Sequence, residues 1–232
     1  MLNVIYRFCN LPCLERHNRP EWFSKINCFE SIYQNFIDND TRLYCVQDGD
    51  DGPLTDFIKS KSNITEFINI KYNSNSKSLN FCLELPDKIP DGDLYFVEDD
   101  FLHTKNCKTV LLEGIKNFEL VTLFDHLDRY QRTDDITQNC ESINLTESSY
   151  WRTCESTTCT WACNKFMWNK IKNDAIIHNL NDRMFFRHLI AKKIRLWSPI
   201  KSCSTHCDRN GLAPLIDWRE INNSYVINRD NE

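Results

Sequence analysis

Asp93-Leu94-Tyr95-Phe96-Val97-Glu98-Asp99-Asp100 sets four consecutive apolar residues directly before three consecutive carboxylates. A short unbroken apolar run marks a strand buried on both faces, as in a parallel sheet covered by helices. In open α/β sheets, ligands bind in the crevice outside the carboxyl ends of the strands, so acids at that end face a site and not the core. Three adjacent carboxylates repel one another unless protons or a cation relieve them. Mg²⁺ or Mn²⁺, which take oxygen ligands and complete their shells with phosphates, are the natural relief.

The pattern around this segment repeats it. Val4-Ile5-Tyr6 reads as a first strand, and Glu21 to Ile37 as a helix with Phe23, Ile26, Ile32, Phe36 and Ile37 near helical spacing. Leu43-Tyr44-Cys45-Val46 is a second strand, closed by the turn-rich Asp48-Gly49-Asp50-Asp51-Gly52-Pro53. Phe57 to Phe67 reads as a short helix and its exit, Phe67 to Ile70 as a third strand, and Lys77 to Leu85 as a helix capped from Asn73 to Ser76. A helix from Lys105 to Lys116 follows the acidic strand, and then a strand from Phe118 to Phe124 that ends in Asp125-His126. Alternating strands and helices predict an α/β fold with a mostly parallel central sheet flanked by helices. Three apolar runs end in acid, at Asp48, at Glu98 to Asp100 and at Asp125, all on the edge where a site is expected.

The second half is less regular. Gln131 to Ser149 is polar, with an edge hairpin expected over Thr137 to Leu145. Thr157 to Ala162 reads as buried and extended, with Trp161 and, further on, Trp168 in the core. Helices are expected over Asn164 to Lys172 and Asn181 to Lys193, the latter with Phe185, Phe186, Leu189 and Ile190 on one side. Leu196 to Ile200 reads as a strand ended by Pro199. The expectation is a single domain over residues 1–220, with a nucleotide-binding half over 1–125, an acceptor half over 126–220, and a polar tail over 221–232.

Composition narrows the function. A formal net charge of -5 argues against a general nucleic-acid binder, because phosphate affinity needs a basic face. No stretch reaches the roughly 18 apolar residues of a membrane span, and the first residues lack a leader pattern, so a soluble cytoplasmic protein is expected. The 12 cysteines invite a zinc or disulfide reading, but no C-x-x-C occurs, and free buried thiols are the simpler account.

In motif order over roughly residues 3 to 218, the chain resembles GT-A fold glycosyltransferases, enzymes that use nucleotide-activated sugars and a divalent metal. Glu98-Asp99-Asp100 stands where that family has its D-x-D motif, with Glu98 in place of the leading Asp. The resemblance implies Glu98 and Asp100 as ligands of Mn²⁺ or Mg²⁺, with Asp99 at the nucleotide. The segment Asn179 to Phe186 looks like the family's x-E-D motif, which makes Asp182 the base for the acceptor hydroxyl. Capping of the helix is the other role open to it. Ser202-Cys203-Ser204-Thr205-His206-Cys207 resembles the segment that brings a late histidine to the metal, which implies His206 as a third ligand.

Asp48 stands where the family places an acid on the base or ribose, although a turn-forming role beside Gly49 is equally open. Tyr6 and Arg7 end the first strand, where backbone and guanidinium would meet the nucleotide. Asp125, His126, Trp151 and Arg152 fall where the acceptor and donor-sugar loops lie. The implied activity is sugar transfer from a nucleoside-diphosphate sugar to a glycan or other hydroxyl acceptor, with inversion. Two rivals remain open: a nucleotidyltransferase that builds sugar nucleotides, and a zinc-stapled interaction module using Cys154, Cys159, Cys163, Cys203, Cys207 and His206. The first normally shows a Gly-rich phosphate loop near its first strand, and no glycine precedes Gly49 here.

Overall fold

A computed structural model describes residues 1–12, 18–130 and 140–226. The elements are β1 (Leu2–Phe8), α1 (Lys25–Phe36), β2 (Thr41–Asp48), α2 (Pro53–Lys59), β3 (Glu66–Ile70), α3 (Asn75–Glu84), β4 (Asp93–Glu98), β5 (Phe101–His103), α4 (Cys107–Phe118) and β6 (Leu120–Val121). They continue as β7 (Ile143–Leu145), β8 (Tyr150–Cys154), β9 (Trp161–Cys163), α5 (Lys165–Ile177), α6 (Asp182–Ala191), β10 (Leu196–Pro199), β11 (Ser204–His206) and α7 (Trp218–Asn223).

Nine strands form one sheet in the order β3-β2-β1-β4-β9-β6-β10-β8-β7. β1 is parallel to β2 and β4, β2 to β3, and β6 to β10. β9 runs antiparallel between β4 and β6, and β8 antiparallel between β10 and β7. All strands but β9 and β8 therefore point the same way, the mostly parallel arrangement expected. β5 and β11 make a separate antiparallel pair.

Alternation along the strands sorts the core into two layers. Val4, Tyr6, Cys45, Tyr95 and Val97 face the layer formed with α1, α2, α4 and α7. Ile5, Tyr44, Val46, Leu94 and Phe96 face α3, α5 and α6. In the second layer, Phe96 packs at 4.6 Å from Trp161 and 5.3 Å from Trp168, ring to ring, so both tryptophans are core as expected. Ser24, Ser74, Asn164 and Asn181 each cap a helix through the side chain, at α1, α3, α5 and α6.

Three expectations change. The strand expected from Phe118 shrinks to β6, because α4 runs through Phe118 and the chain turns at Glu119, whose φ is +65°. Residues 221–226 are no loose tail: Asn222 and Tyr225 are buried, and the Tyr225 hydroxyl donates to the His103 carbonyl at 3.1 Å. Residues 227–232 lie outside the described residues. The edge hairpin is displaced: it joins β7 to β8, so only 143–145 of the expected span 137–145 is strand, and 137–139 lie outside the described residues.

Candidate functional site

A pocket of about 330 Å³ opens where β1, β2 and β4 end, the edge on which open α/β sheets bind ligands. Arg7, Arg19, Lys25 and the acids Asp48, Glu98, Asp99 and Asp100 line it, with the first turn of α3 as its far wall.

Each member of the acidic triplet meets its own cation. Glu98 pairs with the Nη2 of Arg7, whose Nη1 donates to the Asn75 side chain at 2.6 Å and the Ser78 hydroxyl at 3.0 Å, both on α3. Asp99 pairs with Lys25 Nζ at 2.8 Å and accepts from the Cys9 backbone at 3.1 Å. Lys25 also donates to the carbonyls of Cys9 and Leu11, so it ties the loop after β1 to the acids. Asp100 Oδ2 takes Arg19 Nη2 at 2.5 Å and lies 3.0 Å from His206 Nε2. The mutual repulsion foreseen for three adjacent carboxylates is thus relieved by side chains of the same protein. Burial pushes the Asp100 carboxyl up, and His206 and Arg19 more than offset this, holding it well below the usual carboxylate range. Burial raises Asp99; Lys25 opposes that and the charge of Asp100 adds to it.

Pairing of β11 with β5 delivers His206. His206 faces Phe101 in the register, and the Cys207 N–H donates to the Asp100 carbonyl at 2.9 Å, so the late histidine lies beside the last acid of the triplet. Glu98, Asp100 and His206 nonetheless do not converge as three ligands. Glu98 is turned to Arg7, and the Arg19 guanidinium spans the other two, 2.5 Å from Asp100 Oδ2 and 3.2 Å from His206 Nε2. The buried Oδ1 of Asp100 has no partner, a single oxygen where a hard divalent ion wants several. Among the described residues, no group of three His, Cys, Asp or Glu side chains could hold a metal ion. The arrangement does not fit the expected metal centre. The same finding tells against the zinc-stapled module, whose cysteines are free thiols spread over β8, β9, β11 and their flanks.

Asp48 ends β2 but spends its carboxylate on the backbone. Oδ1 accepts from the N–H groups of Tyr72 and Asn73 at 2.8 Å each, and Oδ2 from Ser74 at 3.1 Å. It shapes the loop before α3, and Gly49, at φ +100°, turns the chain straight after it. The loop-forming alternative describes these contacts. Tyr6 also departs from expectation: β1 runs on to Phe8, and the Tyr6 ring is buried against Phe29 at 5.2 Å, away from the pocket lining.

Asp182 opens α6 and lines a second, smaller cavity with Phe96, Cys159 and Trp161. Its Oδ2 accepts from the Cys159 N–H at 3.2 Å, while Asn181 caps the helix, so the capping role weighed for Asp182 belongs to its neighbour. Burial pushes the Asp182 carboxyl up, against hydrogen bonds from Cys159 and the charge of Arg7.

The four residues expected near the acceptor scatter. Asp125 is fully buried, bonded to Arg129 Nη1 at 3.1 Å and to the Tyr130 hydroxyl. Trp151 is fully buried against Gly114 and Phe118. Arg152 is buried beneath the Tyr130 ring. Only His126 of the four keeps partial exposure, beside Asp128. Three expected contact residues are therefore core groups, placed there by inward-facing strand positions and a buried ion pair. The cations Arg19 and Lys25 went unread in the sequence, although three adjacent acids require partners and the stretch after β1 supplies them.

No family model matches the sequence, and no curated protein is significantly similar to it. Solved structures do match. The synthetase for CMP:2-keto-3-deoxy-manno-octonic acid, complexed with CTP, is 11% identical with a TM-score of 0.51, over 85% of this chain and 88% of that one. S. aureus TarS 1–349 in complex with UDP-GlcNAc is 13% identical with a TM-score of 0.53, over 88% of this chain and 57% of that one. The same TarS fragment in a second structure gives 12% identity and a TM-score of 0.52. At such identities the likeness establishes the fold: a GT-A-like α/β architecture.

Proposed function

We propose that the chain transfers a sugar from a nucleotide-activated donor to the hydroxyl of a glycan or other acceptor. The observation that carries this reading is the pocket at the carboxyl ends of β1, β2 and β4, lined by Arg7 and Arg19 within a fold whose matched structures hold CTP and UDP-GlcNAc. Guanidinium forks suit phosphate oxygens, and aligned N–H donors give orientation as well as charge. In this reading, the first 125 residues supply most of the donor pocket, and the second half supplies His206 and the acceptor side.

Asp182 serves as the base. A hydroxyl attacking an anomeric carbon sheds its proton, and a carboxylate raised by burial takes it more readily at neutral pH. One base and one displacement imply inversion. No step is routed through a metal ion, because the acids that would hold it are engaged by Arg7, Lys25 and Arg19.

The test is a thermal-shift panel of UDP, GDP, CMP and dTDP, each with and without Mn²⁺, on the purified protein. Ligand at 100 times its dissociation constant adds about 2.7 kcal/mol of stability. A shift for one nucleotide supports the donor site and names its base; no shift for any removes the reading. A second reading, nucleotidyl transfer that builds a sugar nucleotide, is favoured by the match to most of the CTP-bound synthetase. Release of pyrophosphate from a nucleoside triphosphate and a sugar would identify that reaction.

A further inference from the structure

We infer that Arg19 takes the place a divalent cation would hold, so that nucleoside diphosphates bind this pocket without metal. The inference rests on the nucleotide-sugar reading and deepens it. An ion bridging Asp100 and His206 would need the space between Asp100 Oδ2 and His206 Nε2, and the two terminal nitrogens of Arg19 already bridge these atoms at 2.5 and 3.2 Å. The guanidinium is fixed on further sides. Nη1 donates to the Cys207 carbonyl at 2.8 Å, and the Phe23 ring lies 5.1 Å from the guanidinium carbon.

Charge bookkeeping in the pocket agrees. Arg7, Arg19 and Lys25 each offset one of Glu98, Asp99 and Asp100, while Asp48 is held by three backbone N–H groups. The acids therefore act as positioning groups that hold cations at the strand ends, where metal-bound acids would hold an ion. Lys25 ties Asp99 to the carbonyls of Cys9 and Leu11, whereas Arg7 and Arg19 present in the pocket lining the planar guanidinium groups that suit phosphate. Arg7 adds a buried Nε with no partner. A fixed guanidinium supplies positive charge and directed donors at once, two of the services a bound cation renders a diphosphate.

Isothermal titration of the full-length protein with UDP, GDP, CDP and ADP, each in excess EDTA and again in excess Mn²⁺, tests this. The expected result is one nucleotide that binds in EDTA within about threefold of its affinity in Mn²⁺, and an affinity in EDTA lowered at least about tenfold by Arg19→Ala. Arg7→Ala, expected to weaken binding comparably, keeps the test open if Arg19→Ala fails to fold. Binding that appears only with Mn²⁺ overturns the inference but leaves the nucleotide-sugar reading standing. Binding in EDTA that survives both substitutions overturns the assignment to the arginines. No binding under either condition overturns both readings.

Discussion

The Nε2 of His206 lies 3.0 Å from the Oδ2 of Asp100 across 106 residues of sequence, and Arg19 sits against both. Two distant strands, β5 and β11, exist to make that meeting, and a cation from a third segment completes it.

Asp182→Asn removes the proposed base without changing its size. In a transfer assay, kcat should fall by about 10²- to 10⁴-fold while the donor KM changes little. NMR of the product should give an inverted anomeric centre. Retained configuration would take the base role away from Asp182.

Asp125→Ala should cost about 3–5 kcal/mol in denaturant unfolding, because it strands the buried Arg129 charge. Replacing Asp125 and Arg129 together by apolar residues should cost less than the single change. Full stability in Asp125→Ala would return Asp125 to the candidate acceptor contacts.

Gly114→Ala should destabilise the protein by about 1–3 kcal/mol, although alanine is the better helix former. A Cβ at this position would lie 2.4 Å from the Trp151 ring. A higher melting temperature in the variant would mean that Trp151 can move aside.

His103 supplies a pH dependence. Burial holds its pKa down to about 3, and its Nε2 is hydrogen-bonded to the Tyr95 hydroxyl at 2.6 Å, which also accepts from Thr160. The unfolded chain binds a proton at about pH 6.5 that the folded chain refuses, so stability is full above that pH and declines as pH falls toward 3. Wild type should lose up to about 1.4 kcal/mol per pH unit more than His103→Gln between pH 6 and 4. Parallel stability curves for the two proteins would contradict this.

Asp48→Ala should loosen the loop before α3, costing about 0.5–1.5 kcal/mol, because it removes the acceptor of three backbone N–H groups, two of which water can reach. Asp48→Asn, which keeps an acceptor oxygen, should lose less. Equal losses in chemical denaturation would show that the loop holds without this clamp.

How much could be read beforehand follows from the range of the forces involved. The acidic strand, its neighbours and the helices capped by Ser74 and Asn181 were legible, because periodicity and capping are local. His206 was legible only through the resemblance. β5 and β11 are three residues each and take their register from each other across the chain, which no local pattern reveals. Arg19 and Lys25 were hidden for another reason: in a sequence one cation looks like any other until the acid it faces is placed. Trp151 and Asp125 misled because a tryptophan or an acid beside a loop reads the same whether it points inward or outward.

The insertion of β9 between β4 and β6 has a consequence for biogenesis. One edge of β4, carrying Leu94 and Phe96, has no partner until Cys163 has been made, 163 − 98 = 65 residues after β4 ends. At roughly 5–20 residues per second that is about 3–13 s of synthesis with an apolar strand edge unsealed, the kind of exposure that invites association between nascent chains. β9 closes it by pairing Trp161, Ala162 and Cys163 with Phe96, Tyr95 and Leu94. Ribosome-bound chains halted before residue 161 should therefore engage chaperones that release chains halted well beyond it.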